Sequence, residues 1–415
     1  MTTTVAVRSR LSRAEWSVLA LLVFSVFVNY ADRVNLSVAA PPLKGELGLS
    51  EYELGKLLSA FFWTYAGFQL FGIAGWVVDR FHVGWVLGIA YFLWSGATAI
   101  TGMVTGFTTL FALRLLLGMG EAVVYPAYSK ILACNFPEHH RGLANALIDA
   151  GSKLGPALGT LAGGVLIGRY GWRAFFIAMG LGAMVWLIPW SIWRPRDAAI
   201  GSAVAREAPG LVEILGQRSA WGTFFGLFCC NYYWYFLLTW LPFYLVRERG
   251  FSMQKMALFG SLAYLTIAGA AVVGGYVSDR WIAAGGTPTR VRKTFTGGGL
   301  ALASIILPVS IIRNENLAMA LLLAGCYAFG TFCSNHWAIT QTLAGPRAAG
   351  KWTGFENGVG NLAGVVAPWL TGALRTWTGS FYIAFVMAAA IALTGAAMYV
   401  FVIGPVAPVA WRRRN

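Results

Sequence analysis

Seven ionisable residues interrupt long apolar stretches of this 415-residue chain: Asp32, Arg33, Arg114, Glu121, Asp149, Lys153 and Glu356. At the centre of a membrane helix each costs about 2.5–3.5 kcal/mol, so such residues are expected to face a polar cavity and to act there. Arg114 and Glu121 are seven apart, which places them two helical turns, about 10 Å, apart on nearly the same face. Asp32 and Arg33 are adjacent and stand about 100° apart around a helix, so they serve different contacts. The four charges sum to zero. Two carboxylates can hold two guanidinium groups while no ligand is bound, and protonating one frees a guanidinium whose paired N–H donors match a carboxylate. A monovalent anion plus one proton leaves such a site neutral. Bringing an anion into a negative cytosol costs about 2.3 kcal/mol per charge per 100 mV, so uptake requires a coupled cation. The charges therefore predict an anion site linked to a proton.

Asp149 and Lys153 are four apart, and either neutralise each other along one helix or face the same cavity. Glu356 stands beside Asn357 in the glycine-rich run from Thr353 to Asn361, where a polar face is expected. Tyr30, Tyr65 with Gln69, and the Ser334-Asn-His-Trp337 cluster are candidates for lining a path. Cys134, Cys229, Cys230, Cys326 and Cys333, and the histidines His82, His139, His140 and His336, show no ligand spacing and no paired loop positions. They predict neither disulfides nor a metal site, and no cofactor. No nucleophile–base pair accompanies the buried charges, which argues against an enzyme.

The elements that must position these residues are membrane helices. The chain is 58% hydrophobic and only 11% charged, with 18 Trp, 27 Phe and 50 Gly, against roughly 25% charged in a soluble domain. Only helices and closed barrels satisfy the backbone in hydrocarbon, and a helix needs about 20 apolar residues to cross. Twelve stretches qualify, about 16–40, 52–78, 84–104, 106–133, 141–168, 172–194, 221–246, 253–278, 293–312, 317–343, 350–373 and 379–404. The first exceeds a signal-peptide core and holds Asp32 and Arg33, so it is read as a span.

The net charge of +15 does not point to nucleic acid, because the basic residues are scattered singly through short connections rather than striped along one face. Sorted by side, nineteen of them, from Arg8, Arg10 and Arg13 through the connections to Arg412, Arg413 and Arg414, fall with the termini, and nine fall opposite. The excess predicts cytoplasmic termini in a bacterial inner membrane.

The connection after the second stretch contains Gly75, Asp79 and Arg80, and the one after the eighth repeats them as Gly275, Asp279 and Arg280. Arg141 is answered by Arg347. Two halves, 1–194 and 221–415, joined by a polar connection at 195–220, are expected to form a parallel repeat. In each hairpin glycine permits close helix approach, and the carboxylate caps a helix or pairs with a basic residue in one conformation only. Gly75, Asp79, Arg80, Asp279 and Arg280 are thus candidates for a conformational switch. Their recurrence in both halves resembles the major facilitator superfamily, which implies an all-α fold of twelve transmembrane helices in two pseudo-symmetric bundles.

The runs Asn29–Val38, Arg114–Pro126, Phe136–Arg141 and Phe236–Pro242 resemble, within that superfamily, the anion:cation symporter family of sugar-acid permeases, aromatic-acid permeases, sialin and vesicular glutamate transporters. The resemblance implies proton coupling at Asp32 and Glu121, with an Arg114–Glu121 pairing that competes with substrate. It further implies a pocket lined by Tyr30, Arg33, Tyr65, Arg114, Ser152, Ser334, His336, Trp337 and Asn357. Ser152 stands where the galactonate permease has glutamine, and His336 where it has a small hydroxyl residue, which keeps aromatic and other carboxylates in play beside sugar acids. The expectation is a monomeric symporter for a small organic anion and protons. An organic phosphate exchanger would need more uncompensated arginines, and a membrane sensor a longer soluble tail.

Overall fold

The computed structural model describes residues 11–136, 138–195 and 209–411, and their side chains except those at 79, 133, 138–143, 146, 346, 347, 349 and 350. The side chains of Asp79, Arg141 and Arg347 and half of the 195–220 connection, 196–208, thus lie outside the described residues. Every regular element described is helical.

Helix α1 (Arg13–Leu47) opens on a capping box in which Ser12 and Glu15 satisfy each other's backbone donors, and α2 (Glu51–Leu70) opens on the same device from Ser50 and Glu53. The second pass is not continuous. It breaks at Gly72, whose φ of 69° only glycine adopts freely, and resumes as α3 (Ile73–Arg80). Next come α4 (Val83–Thr101), then α5 (Phe107–Ala122) and α6 (Val124–Asn135), which share the fourth pass. Helix α7 (Glu138–Met184) holds the fifth and sixth passes through a bend at Gly171, and α8 (Leu187–Trp193) completes the sixth. The short α9 (Leu211–Leu215) precedes the second half. There α10 (Arg218–Arg247), α11 (Met253–Ala283) and α12 (Pro288–Ala303) are followed by α13 (Glu315–Thr378), which turns from tenth to eleventh pass at Gly345, and α14 (Tyr382–Ala397).

The twelve expected crossings are therefore all helical, with two of the expected connections reduced to single glycine bends. Among the described residues, seven helical stretches qualify as spans by length and hydropathy alone. The α10 pass falls outside them although helical for 30 residues, because Trp221, Tyr232, Tyr233, Trp234, Tyr235 and Trp240 bring polar tips into it.

Small residues set the helix spacing, as expected where lipid removes any hydrophobic drive between helices. A Cβ at Gly155 of α7 would stand 2.5 Å from the Phe27 carbonyl oxygen of α1, and one at Gly151 2.9 Å from that of Val23. Gly118 of α5 likewise abuts the backbone of Phe61 in α2. These contacts seat α1 on α7 and α5 on α2.

The halves meet at the end remote from the termini. Arg247 Nη2 donates to the Pro41 carbonyl (2.7 Å), Ser37 Oγ to that of Leu238 (2.8 Å), and Ser261 Oγ to that of Ala157 (2.9 Å). A Cβ at Gly55 of α2 would reach the Pro368 carbonyl of α13 at 2.9 Å, and Gly164 of α7 abuts Ala257 of α11. Among the described residues the halves exchange no hydrogen bond nearer the termini than Gln69. The described hydrogen bonds between the halves thus gather toward the remote end.

Candidate functional site

Arg33 is buried on α1, and its Nε donates to Glu121 Oε2 of α5 at 3.1 Å. The guanidinium carbon lies 4.4 Å from the ring centroid of Tyr30, 4.6 Å from that of Tyr65 and 5.2 Å from that of Phe61. Aromatic faces suit a weakly hydrated guanidinium and leave its edge for hydrogen bonding. That edge is not used up: Arg33 Nη2 and Glu121 Oε1 are buried and make no hydrogen bond among the described residues. Buried polar atoms are rarely left so, and each keeps capacity for one more partner.

Arg114 is also buried, on the same helix as Glu121. Its guanidinium carbon stands 5.4 Å from the Phe61 ring, it lies close enough to Glu121 and Asp32 to feel both charges, and it makes no ion pair among the described residues. The structure thus pairs Glu121 with Arg33, where the family resemblance implied Arg114. The reason is reach across helices: Arg33 and Glu121 meet between α1 and α5, whereas Arg114 lies two turns along from Glu121. Asp32 diverges from Arg33 as the helix geometry required. It accepts from Asn35 Nδ2 at 2.9 Å and faces Thr98 and Tyr91 of α4.

A polar seam continues from this cluster into the second half. Tyr125 Oη donates to Tyr30 Oη (3.2 Å), and Tyr65 stands beside Gln69. Gln69 Oε1 accepts from Asn357 Nδ2 (3.2 Å) and Asn361 Nδ2 (3.3 Å) of α13, and Tyr235 Oη of α10 donates to Asn361 Oδ1 (2.6 Å). Phe61, Tyr125, Tyr235 and Asn361 are contributors that sequence reasoning did not single out. Asn361, one turn from Asn357, carried a usable signal; the three aromatic residues do not differ in sequence from packing residues.

Other expected lining residues lie elsewhere. Ser152 is buried but donates to the Asp149 carbonyl one turn back (2.7 Å). Ser334 accepts from its neighbour Asn335 (3.3 Å) and packs on Gly275 of α11. His336 stacks on Phe332, ring centroids 5.0 Å apart, and meets Trp337 at 4.3 Å, forming an aromatic wall near Lys153. Asp149 and Lys153 do pair, at 3.7 Å. Glu356 is fully buried and accepts from Thr340 Oγ1 (3.0 Å).

The two hairpins are held differently. In the second, Asp279 is paired with Arg292 of α12 (2.7 Å), which also donates to Ser278 Oγ and Asn335 Oδ1 (both 2.9 Å). Arg280 lies over the Tyr276 ring at 5.0 Å. In the first, Lys130 of α6 donates to the Val78 carbonyl (2.7 Å), Arg80 is exposed, and Asp79 lies outside the described side chains. A Cβ at Gly75 would meet nothing within 4 Å, so close approach is not what this arrangement asks of Gly75. Only Gly275, against Ser334, fits that expectation.

The Major Facilitator Superfamily model matches residues 22–368. The chain is 32% identical to the "Probable galactarate/D-glucarate transporter GarP" of Escherichia coli strain K12, over 93% of this chain and 94% of that one. It is 29% identical to the "D-galactonate transporter" of Escherichia coli O6:H1, over 95% and 96%. Among solved structures, a bacterial homologue of the human lysosomal transporter Spinster, in an inward-facing and unoccupied conformation, matches with a TM-score of 0.83 at 18% identity, over 95% of this chain and 98% of that one. The paired bundles, the repeated hairpins and these matches agree: the chain belongs to the Major Facilitator Superfamily and is a multi-pass membrane transporter, not an enzyme.

Proposed function

We propose that the protein is a secondary active symporter that carries a small organic anion, a sugar acid or comparable carboxylate, into the cell with protons. The observation that carries this reading is the Arg33–Glu121 pair in its aromatic box, with one guanidinium nitrogen and one carboxylate oxygen unused. A substrate carboxylate competes with Glu121 for the Arg33 fork. Protonation of Glu121 removes that competitor, so proton and anion bind together and neither is released alone. Asp32, directed to α4, is the second proton carrier, and Arg114 supplies positive potential to both carboxylates. Tyr30, Tyr65 and Asn357 orient the substrate around the guanidinium, with His336 and Trp337 on the far wall. Ser152 and Ser334 act at the edges of the pocket through their helices.

Relatives described as transporters of galactarate, D-glucarate, D-galactonate and, in Cupriavidus necator, sulfoacetate support a small organic anion as the cargo. The bodies that move are 1–194 and 221–415, rocking about the Arg33 level while 195–220 follows. With the termini cytoplasmic, hydrogen bonds between the halves gathered toward the remote end support an inward-facing reading of this arrangement. Asp79–Arg80 and Asp279–Arg280 latch the cytoplasmic side when it closes; in the present arrangement Asp279 is held by Arg292 of its own half. One chain supplies both halves and acts as a monomer.

The test is uptake into proteoliposomes with and without an inward proton gradient, across sugar acids, aromatic acids, dicarboxylates and sugar phosphates. Accumulation of a carboxylate that needs the gradient and is lost in Glu121→Gln is the expected result. Phosphate exchange indifferent to the gradient would overturn it in favour of an antiporter.

A further inference from the structure

Lys153 lies deep in the fifth pass, about 22 Å along the helix from Glu138 and about 27 Å from the bend at Gly171. Neither membrane surface is within reach of a lysine's four-carbon stem, so snorkelling does not account for it. Its direction is set by the helix. Residues 153, 157, 160 and 164 form one stripe of α7. At the remote end this stripe is pressed against α11: Gly164 abuts Ala257, a Cβ at Gly260 would reach Thr160 at 3.0 Å, and Ser261 donates to the Ala157 carbonyl. Lys153 is the next residue on that stripe toward the termini, so it faces the same side of α7 as the residues that meet α11.

There it points across to the other half. The ammonium group lies close enough to Tyr30, Cys230, Cys333 and His336 to interact with each. None of these carries a negative charge that would hold it. Its ion-pair partner, Asp149, is 3.7 Å away with 70% of its side chain exposed, while 29% of the lysine side chain is exposed. A carboxylate so open to water is a weak counter-charge. Tyr30 is shared: Arg33 stacks on its ring and Lys153 senses its hydroxyl. Arg33 and Lys153 thus share Tyr30 as a neighbour and offer a bidentate guanidinium and a point-charge ammonium.

We propose that Lys153 is a second anion-binding group, and that the transported anion carries two acidic groups, one held by Arg33 and the other by Lys153. This rests on the symport reading above and narrows its substrate class from carboxylates in general to diacids. A dianion entering with two protons moves no net charge, which matches two carboxylates, Asp32 and Glu121, as carriers. Asp149 then acts as the placeholder that holds Lys153 between cycles.

The experiment compares gradient-driven uptake of a six-carbon sugar diacid with that of the monoacid in which one carboxylate is a hydroxymethyl group. The wild-type protein is expected to favour the diacid at least tenfold in half-saturation concentration. Lys153→Gln should collapse that preference at least tenfold, and Lys153→Arg should largely restore it, which a merely structural role would not do. Should Lys153→Gln fail to fold, Asp149→Asn, which frees the ammonium, is expected to increase the diacid preference. A wild-type protein that takes the monoacid equally well or better sinks the inference and leaves the symport reading standing. A preference unaltered in Lys153→Gln, or in Asp149→Asn where that variant substitutes for it, does the same. Uptake of neither acid sinks both.

Discussion

The first six passes and the last six share a shape but not a chemistry. Among the described residues, the first half places Asp32, Arg33, Arg114, Glu121, Asp149 and Lys153 within its passes, and the second places Glu356, hydrogen-bonded to Thr340 and without an ion-pair partner. Conversely, the second half holds its hairpin by a described ion pair, Asp279–Arg292, with Arg292 anchored to Ser278 and Asn335. On the function proposed above, the duplicated scaffold is divided between ligand chemistry and gating. A fold repeat predicts where helices go, and the site must be argued residue by residue.

The sharpest way to break this division is Arg33→Ala. It removes the guanidinium fork and leaves Glu121 buried without a partner, a change of about 3–5 kcal/mol for a broken buried pair. Uptake is expected to fall more than a hundredfold, with a lowered Tm. Arg33→Lys should recover stability better than transport, because an ammonium cannot make the bidentate contact. Full transport by Arg33→Lys would move the substrate site away from Arg33.

Next in size is Glu121→Gln. Gradient-driven accumulation should be lost, while exchange of labelled for unlabelled substrate persists, since the freed Arg33 can still take an anion. In the wild-type protein accumulation should rise as the outer pH falls, and that dependence should flatten in the variant. Loss of exchange along with accumulation would make Glu121 a binding group and leave the proton to Asp32.

How much of this was legible beforehand follows the range of the interactions. Helix periodicity is local, and all twelve crossings could be read; so could the divergence of Asp32 from Arg33, which needs only the 100° step. The partner of Glu121 could not. Arg33 is 88 positions away in sequence and Arg114 only seven, and the choice between them is made by how Gly118 and Gly155 bring α2, α5, α7 and α1 together. The Gln69–Asn357–Asn361 seam joins the halves across nearly 300 residues, a contact no local pattern encodes. The hairpin glycines misled in one half, because Gly275 packs on Ser334 while Gly75 packs on nothing within 4 Å.

A gating change should leave affinity nearly intact. Arg292→Ala removes the tie between Asp279 and Asn335, and Asn335 is flanked by Ser334 and His336. We expect turnover to change about tenfold while half-saturation moves less than about threefold, read from uptake rates at several substrate concentrations. A matched loss of affinity would show that Arg292 holds the pocket wall rather than the latch.

The smallest effect is expected from Glu356→Gln, and it tests the division most directly. Glu356 is as buried as Glu121, yet among the described residues its one hydrogen-bond partner is the Thr340 hydroxyl, and Thr340 and Tyr399 beside it belong to its own half. Glutamine keeps the size and the acceptor that Thr340 uses, so the contact between the two passes of α13 survives and stability should change by no more than about 1 kcal/mol. With no cation to release, titrating Glu356 frees no anion-binding group, unlike Glu121, whose protonation frees Arg33. Uptake and its dependence on outer pH should therefore match the wild type within about threefold. A flattened pH dependence in this variant, equal to that of Glu121→Gln, would place a coupling carboxylate in each half and replace the division of labour with a duplicated proton path.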